Sequence, residues 1–222
     1  GLNRPAAVIV ETVQGEGGLN VARLEWLQAL ADLCHQREIL LIVDDVQMGC
    51  GRTGEFFSFE AAGIVPDIVT LSKSISGYGL PMALTLFRPE LDVWAPGEHN
   101  GTFRGHNPAF VTASKALEIF WSTAEFAAET ADKGALVRAG LEKIALSHHG
   151  ISARGRGMAQ GLRFDDADLA ADVCRAAFER GVLMETSGPS DEVVKLLPPL
   201  TTSPGDLQAG LDILAESVAV AV

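Results

Sequence analysis

The chain has 222 residues, 47% apolar and 21% charged, which suits a globular protein of one large domain or two small ones. Its 17 basic and 29 acidic residues leave a net charge of −12, which argues against nucleic acid or an anionic membrane as partner, because phosphate binding draws on clustered Lys and Arg. The densest apolar run, residues 39–43, falls far short of the ~20 residues of a membrane span. Residues 1–6 show no basic segment leading into an apolar core, so a cytoplasmic protein is expected. Cys34, Cys50 and Cys174 are scattered and form no CxxC pair, and His148 and His149 are adjacent, so neither a disulfide framework nor a zinc site is expected.

Residues 7–10 (AVIV) read as a buried strand ending at Glu11, followed by a Gly-rich loop at 15–18. Asn20 is expected to cap a helix whose apolar face runs Leu24, Leu27, Leu30, Cys34. Residues 39–43 (ILLIV) form a second strand, with Asp44 and Asp45 at its C-terminal end. Residues 68–71 (IVTL), after the turn Pro66-Asp67, form a third that runs into Ser72-Lys73. Residues 81–87 form a fourth. Continuous apolar strands separated by helices argue for an α/β fold, a mostly parallel sheet with helices on both faces.

Residues 108–121 read as a helix, and Ser122 with Glu125 match a capping box opening another that reaches about Ser147. A strand follows at 158–164. A helix at 168–180 stops at Gly181, and short strands at 182–185 and 193–197 suit a hairpin across Gly188-Pro189. Ser203, Pro204 and Asp206 open a last helix. The expected division is a large-domain portion at 1–121 and a small α+β domain at 122–222. A sheet of four strands beginning at residue 7 is thin and leaves apolar faces and edges uncovered. The sequence therefore reads as the second part of a larger protein.

Open α/β sheets bind ligands at the C-terminal ends of their strands. Lys73 leaves the third strand there, where partial desolvation would favour the nucleophilic neutral amine. Asp44 ends the neighbouring strand, where a carboxylate is costly unless it meets a cation, such as the protonated pyridine nitrogen of pyridoxal phosphate. Gln47 is placed to donate to the ring oxygen of that group. The alternatives are a lysine that reaches solvent and a carboxylate that caps the next turn, the role left for Asp45. Gly49-Cys50-Gly51-Arg52-Thr53-Gly54 matches G-x-G-x-x-G but lies five residues past its strand with no clear helix after it, so dinucleotide binding is not expected.

Four motifs in order, VIVETVQGEGG (8–18), LLIVDDVQMGCGRTGEFFSFE (40–60), PDIVTLSKSISGYGLPMA (66–83) and PGEHNGTFRGHNP (96–108), resemble class III (subgroup II) pyridoxal-phosphate aminotransferases of fold type I. The resemblance covers essentially the whole chain. SKSISGYGLP and GEHNGTFRGHN look most like the branch that exchanges the terminal amino group of L-2,4-diaminobutyrate with 2-oxoglutarate in ectoine biosynthesis, giving aspartate 4-semialdehyde and glutamate.

The resemblance implies that Lys73 anchors pyridoxal 5'-phosphate covalently and shuttles the substrate proton. It implies that Asp44 pairs with the ring nitrogen and Gln47 with the ring oxygen. Thr102 would reach the phosphate bound by a partner subunit, implying a homodimer with shared sites. Glu16 would be a gating acid that neutralises the carboxylate-binding cation when the amine donor is present. Lys195 stands where many members carry an arginine that clamps the substrate carboxylate. A lysine lacks the arginine fork, and Arg163 or Arg104 are alternatives. The family's N-terminal part has no counterpart here. Rival readings are another ω-aminotransferase of the class, of acetylornithine, ornithine or 4-aminobutyrate type, and a catalytically incomplete fragment that aggregates alone.

Overall fold

The computed structural model describes residues 4–102 and 104–222, which leaves out residues 1–3 and Phe103 of the last motif. The chain divides into two compact units. The first takes residues up to Thr12, Ala22–Cys50 and Glu55–Phe126. The second takes Val13–Val21, Gly51–Gly54 and Ala127–Val222.

In the first unit, β1 (Ala7–Val10), β2 (Leu40–Asp44), β3 (Ile68–Leu71) and β4 (Leu84–Phe87) lie side by side in chain order. β1, β2 and β3 are parallel, whereas β4 returns antiparallel to β3. The expected fourth strand is shorter and reversed. Its connection holds a single 3-10 turn rather than the crossover helix a parallel return requires. Helix α1 (Leu24–Gln36) connects β1 to β2 and buries Leu27 and Cys34. These two join Leu41, Val43, Val69, Leu71 and Ile75 in one apolar cluster. Arg23, not Asn20, is the N-cap residue of α1. The Asn20 amide instead donates within its own loop, to Gln14 Oε1 at 3.0 Å and the Gly17 carbonyl at 2.8 Å. Helix α2 (Asn107–Phe120) completes the unit.

In the second unit, β5 (Ile151–Arg156), β6 (Ala159–Phe164), β7 (Glu185–Ser187) and β8 (Val193–Leu196) form an antiparallel sheet in the order β5-β6-β8-β7. Helices α3 (Glu125–Ser147), α4 (Asp168–Glu179) and α5 (Pro204–Ala221) supply Leu141, Ala170, Leu211 and Leu214 to a core shared with Leu162, Phe164 and Val194. Helix α3 starts at Glu125 itself, so the Ser122 capping-box register is not used. The Glu125 amide donates weakly to Thr123 Oγ1 at 3.4 Å. The Ser203 cap forms as expected, accepting from the Asp206 amide at 3.1 Å. Among the described residues, no helix is long and apolar enough to cross a membrane.

The Gly49–Gly54 segment is a loop, not a dinucleotide turn. Gly49 packs so tightly that a Cβ would sit 2.7 Å from Leu71 Cδ2 and 2.8 Å from the Asp45 carbonyl. Next to it, burial and then the nearby Asp45 carboxylate push the Cys50 thiol up to about 12. Unfolding restores an ordinary thiol near 9. The stability contribution of Cys50 is therefore full below about pH 9 and is lost as pH rises toward about 12. At pH 8.5, iodoacetamide should modify native Cys50 roughly several hundredfold more slowly than the unfolded thiol. Peptide mapping against time checks this, and labelling at the unfolded rate would contradict it.

Candidate active site

Asp44 is the last residue of β2 and pairs in register with Thr70 of β3. Its carboxylate is half-buried, and both of its hydrogen bonds among the described residues arrive at one oxygen. Oδ1 accepts from the Val46 amide at 3.0 Å and from Thr70 Oγ1 at 3.4 Å. The donors orient the group and leave Oδ2 for a cation. Gln47 is half-buried in the turn after β2.

Lys73 lies just past the end of β3, on the same sheet edge as Asp44. It opens the 3-10 turn Lys73–Ser76 with φ +50. A side chain in that left-handed region costs on the order of 1–2 kcal/mol, and no backbone pattern in the sequence announces it. The turn is pinned behind it. Ile75 and Ser76 are buried, and Ser76 Oγ accepts the Gly79 amide at 3.0 Å. Gly77 approaches α2 so closely that a Cβ would lie 2.3 Å from Ala116 Cβ. The sequence led us to expect a partly desolvated lysine, but the Lys73 side chain is exposed in this chain. The turn carries it past the end of β3.

Asp45 does more than cap a turn. It is buried. Its Oδ2 accepts the Ser58 amide at 3.0 Å, its Oδ1 accepts the Ser58 hydroxyl, and Ser58 Oγ accepts from Thr12 Oγ1 at 2.6 Å. This network ties the end of β1 to the turn that carries Asp44 and Gln47. Its members are far apart in sequence, so no local motif marks them.

Thr102 is exposed on the loop before α2. Arg104 donates to the His99 carbonyl at 2.7 Å. A cavity of about 710 Å³ in this unit, lined by Cys34, His35, Leu40, Asp67 and Arg88, opens at the N-terminal ends of β2 and β3, the opposite sheet edge.

The second unit holds the other two candidates. Lys195 lies on β8, an interior strand, and its side chain is 0% exposed. It is therefore not a solvated charge on an edge strand. β7 pairs outside it, and the 13–21 loop covers it. That loop is fixed by the Gly188 amide donating to the Glu16 carbonyl at 2.9 Å. Leu19 presses on Gly161, where a Cβ would meet Leu19 Cδ1 at 3.0 Å. Lys195 Nζ lies 2.8 Å from Glu16 Oε1 and 3.2 Å from Glu185 Oε1. Glu185 escaped the sequence reading, although the hairpin across Gly188-Pro189 places it opposite Lys195. Arg163 is paired with Asp165.

Among the described residues, no group of three or more His, Cys, Asp or Glu side chains could hold a metal ion. The donor set of the first unit instead suits pyridoxal phosphate. It offers an exposed primary amine on a fixed turn and, at the end of the adjacent strand, a carboxylate with one oxygen left open.

The family model for class-III aminotransferases matches residues 3–218. A diaminobutyrate–2-oxoglutarate transaminase of Nocardia farcinica is 68% identical over 98% of this chain and 50% of its own length. An ornithine δ-aminotransferase of Plasmodium falciparum superposes with a TM-score of 0.89 at 29% identity, covering 97% of this chain and 57% of that one. An ornithine aminotransferase of Toxoplasma gondii, described with partial occupancy of PLP at its active site, superposes with a TM-score of 0.89 at 30% identity, covering 96% of this chain and 51% of that one. The chain thus spans about half the length of the curated relatives it matches. With the family model covering nearly every residue and the α/β architecture shared with solved aminotransferases, the chain belongs to the class-III aminotransferase family.

Proposed function

We propose that the full-length protein exchanges the terminal amino group of L-2,4-diaminobutyrate with 2-oxoglutarate, giving aspartate 4-semialdehyde and glutamate, as a step of ectoine biosynthesis. The observation that carries this reading is the placement of Lys73 and Asp44 on one edge of two adjacent parallel strands, with Lys73 held in a strained turn. The diaminobutyrate assignment is supported by 68% identity to a relative of that name, against 29% to an ornithine enzyme.

Pyridoxal phosphate supplies an electron sink for the carbon that loses its proton. In this reading the chain's own residues do the rest. Lys73 would hold the group covalently and, as a primary amine at the strand end, would serve as the acid–base group that moves the substrate proton. Asp44, oriented by the Val46 amide and Thr70 hydroxyl on Oδ1, would hold the ring nitrogen protonated, and Gln47 would hold the ring oxygen. Lys195 binds a substrate carboxylate, and Glu16 is its removable counter-charge. The experiment is turnover by the full-length enzyme. Glutamate forming from diaminobutyrate faster than from ornithine, acetylornithine or 4-aminobutyrate supports the reading, and a preference for one of these replaces it.

Thr102 is proposed to act on the phosphate of the partner's site in a homodimer. Mixing Thr102→Ala subunits with Lys73→Ala subunits then gives heterodimers with one doubly damaged site and one intact site. Activity should return to a substantial fraction of wild type per intact site. Mixed dimers that form without regaining activity would show that Thr102 does not act across the interface.

A further inference from the structure

Strand β7 alternates between two faces of its sheet. Thr186 is in register with Val194 of the helix-covered core, and its Oγ1 donates to Asp191 Oδ1 at 3.0 Å. Glu185 and Ser187 take the other face, in register with Lys195 and Val193. Ser187 is 3% exposed, yet its hydroxyl has no hydrogen-bond partner among the described residues. A buried hydroxyl left without a partner is costly and calls for an explanation.

The 13–21 loop lies against the residues beside this hydroxyl. A Cβ on Gly18 would meet Gly188 Cα at 3.1 Å and Val193 Cγ2 at 3.5 Å. The Gly188 amide holds the Glu16 carbonyl. The main chain of Glu16 is thereby fixed near Ser187, and a change of partner falls to its exposed side chain.

Lys195 stands diagonally across the β7–β8 pair from Ser187, at a Cβ separation of about 7–8 Å. A carboxylate held at one oxygen by an ammonium and at the other by a hydroxyl, through hydrogen bonds of about 2.8 Å each, bridges a gap of that order. The lysine by itself leaves that need open. It is a point charge, whereas a carboxylate brings two oxygens that an arginine fork would hold together. A second oxygen buried beside Lys195 without a donor weakens binding. Ser187 Oγ is a neutral donor on that face with no other engagement among the described residues.

We propose that Ser187 is a specificity-determining residue of the oxo-acid half-reaction. Once the Glu16 side chain has left Lys195, the 2-oxoglutarate carboxylate that lies on Lys195 accepts a second hydrogen bond from Ser187 Oγ. With the amine donor present, Glu16 stays on Lys195 and the hydroxyl is idle, as it is in this structure. This inference rests on the proposed function, which places a substrate carboxylate on Lys195 and makes Glu16 its removable counter-charge.

The test uses the full-length enzyme and its Ser187→Ala variant, with the two half-reactions followed separately by cofactor absorbance. Ser187→Ala should weaken 2-oxoglutarate binding in the second half-reaction about tenfold, the worth of one hydrogen bond to a charged group. The diaminobutyrate half-reaction should stay within twofold of wild type. The melting temperature should be unchanged or higher, because the substitution removes a buried hydroxyl that nothing satisfies. Equal losses in both half-reactions, or an unaltered affinity for 2-oxoglutarate, would overturn the inference. A wild type that prefers ornithine to diaminobutyrate would overturn the donor assignment alone, and the Ser187 comparison would then be made with that donor. A wild type whose cofactor 2-oxoglutarate does not restore would overturn the proposed function and this inference with it.

Discussion

Lys73→Ala in the full-length enzyme should lower steady-state transamination by about a thousandfold or more. The substitution removes both the covalent anchor and the group that moves the substrate proton. A positioned acid–base group alone contributes about 10²–10⁴-fold. The fold should survive, because the side chain is exposed and the turn is held by Ile75, Ser76 and Gly77 rather than by the lysine. A short side chain also accepts φ +50 no worse than lysine does. Loss of activity with an unchanged melting temperature is the expected result. Activity within tenfold of wild type would remove Lys73 from the chemistry.

Asp44→Ala should raise the dissociation constant of pyridoxal phosphate about tenfold to a hundredfold, the equivalent of one charge-assisted hydrogen bond. It should also slow proton abstraction in single turnovers, since an unprotonated ring withdraws electrons poorly. Asp44 is half-buried, and its contacts within the described residues are two hydrogen bonds to Oδ1, so the stability cost should be modest beside the functional one. Titration of the apoenzyme and rapid-mixing absorbance check the two effects separately. An unaltered affinity with an unaltered single-turnover rate would assign Asp44 to turn capping alone.

Much of the first unit was legible because its strands are buried runs with marked ends. β1 and β3 lie where their β-branched stretches stand. Asp67 of the Pro66-Asp67 turn accepts the Leu41 amide at 2.8 Å, which locks the start of β3 to β2. β4 was read too long. Pro81 has no amide to give a ladder, and the Met82 carbonyl accepts from Ser72 Oγ at 2.8 Å rather than from a strand. β5 was missed because Arg154, Gly155 and Arg156 interrupt its apolar pattern, as an edge strand permits. The candidate residues at strand ends could be found from Lys73 and Asp44 because a charge leaving an apolar run stands out locally. Asp45–Ser58–Thr12 and Lys195–Glu185 could not be found that way. Each depends on a contact made only when distant segments meet, and a register error of one residue would turn Glu185 to the other face.

The central claim is that Lys73 is the residue that carries the cofactor. Borohydride reduction of the full-length enzyme loaded with pyridoxal phosphate, followed by peptide mass mapping, tests it most directly. A pyridoxyl adduct on the peptide containing Lys73, prevented by Lys73→Ala, is the predicted result. An adduct on another lysine with Lys73 unmodified would contradict it.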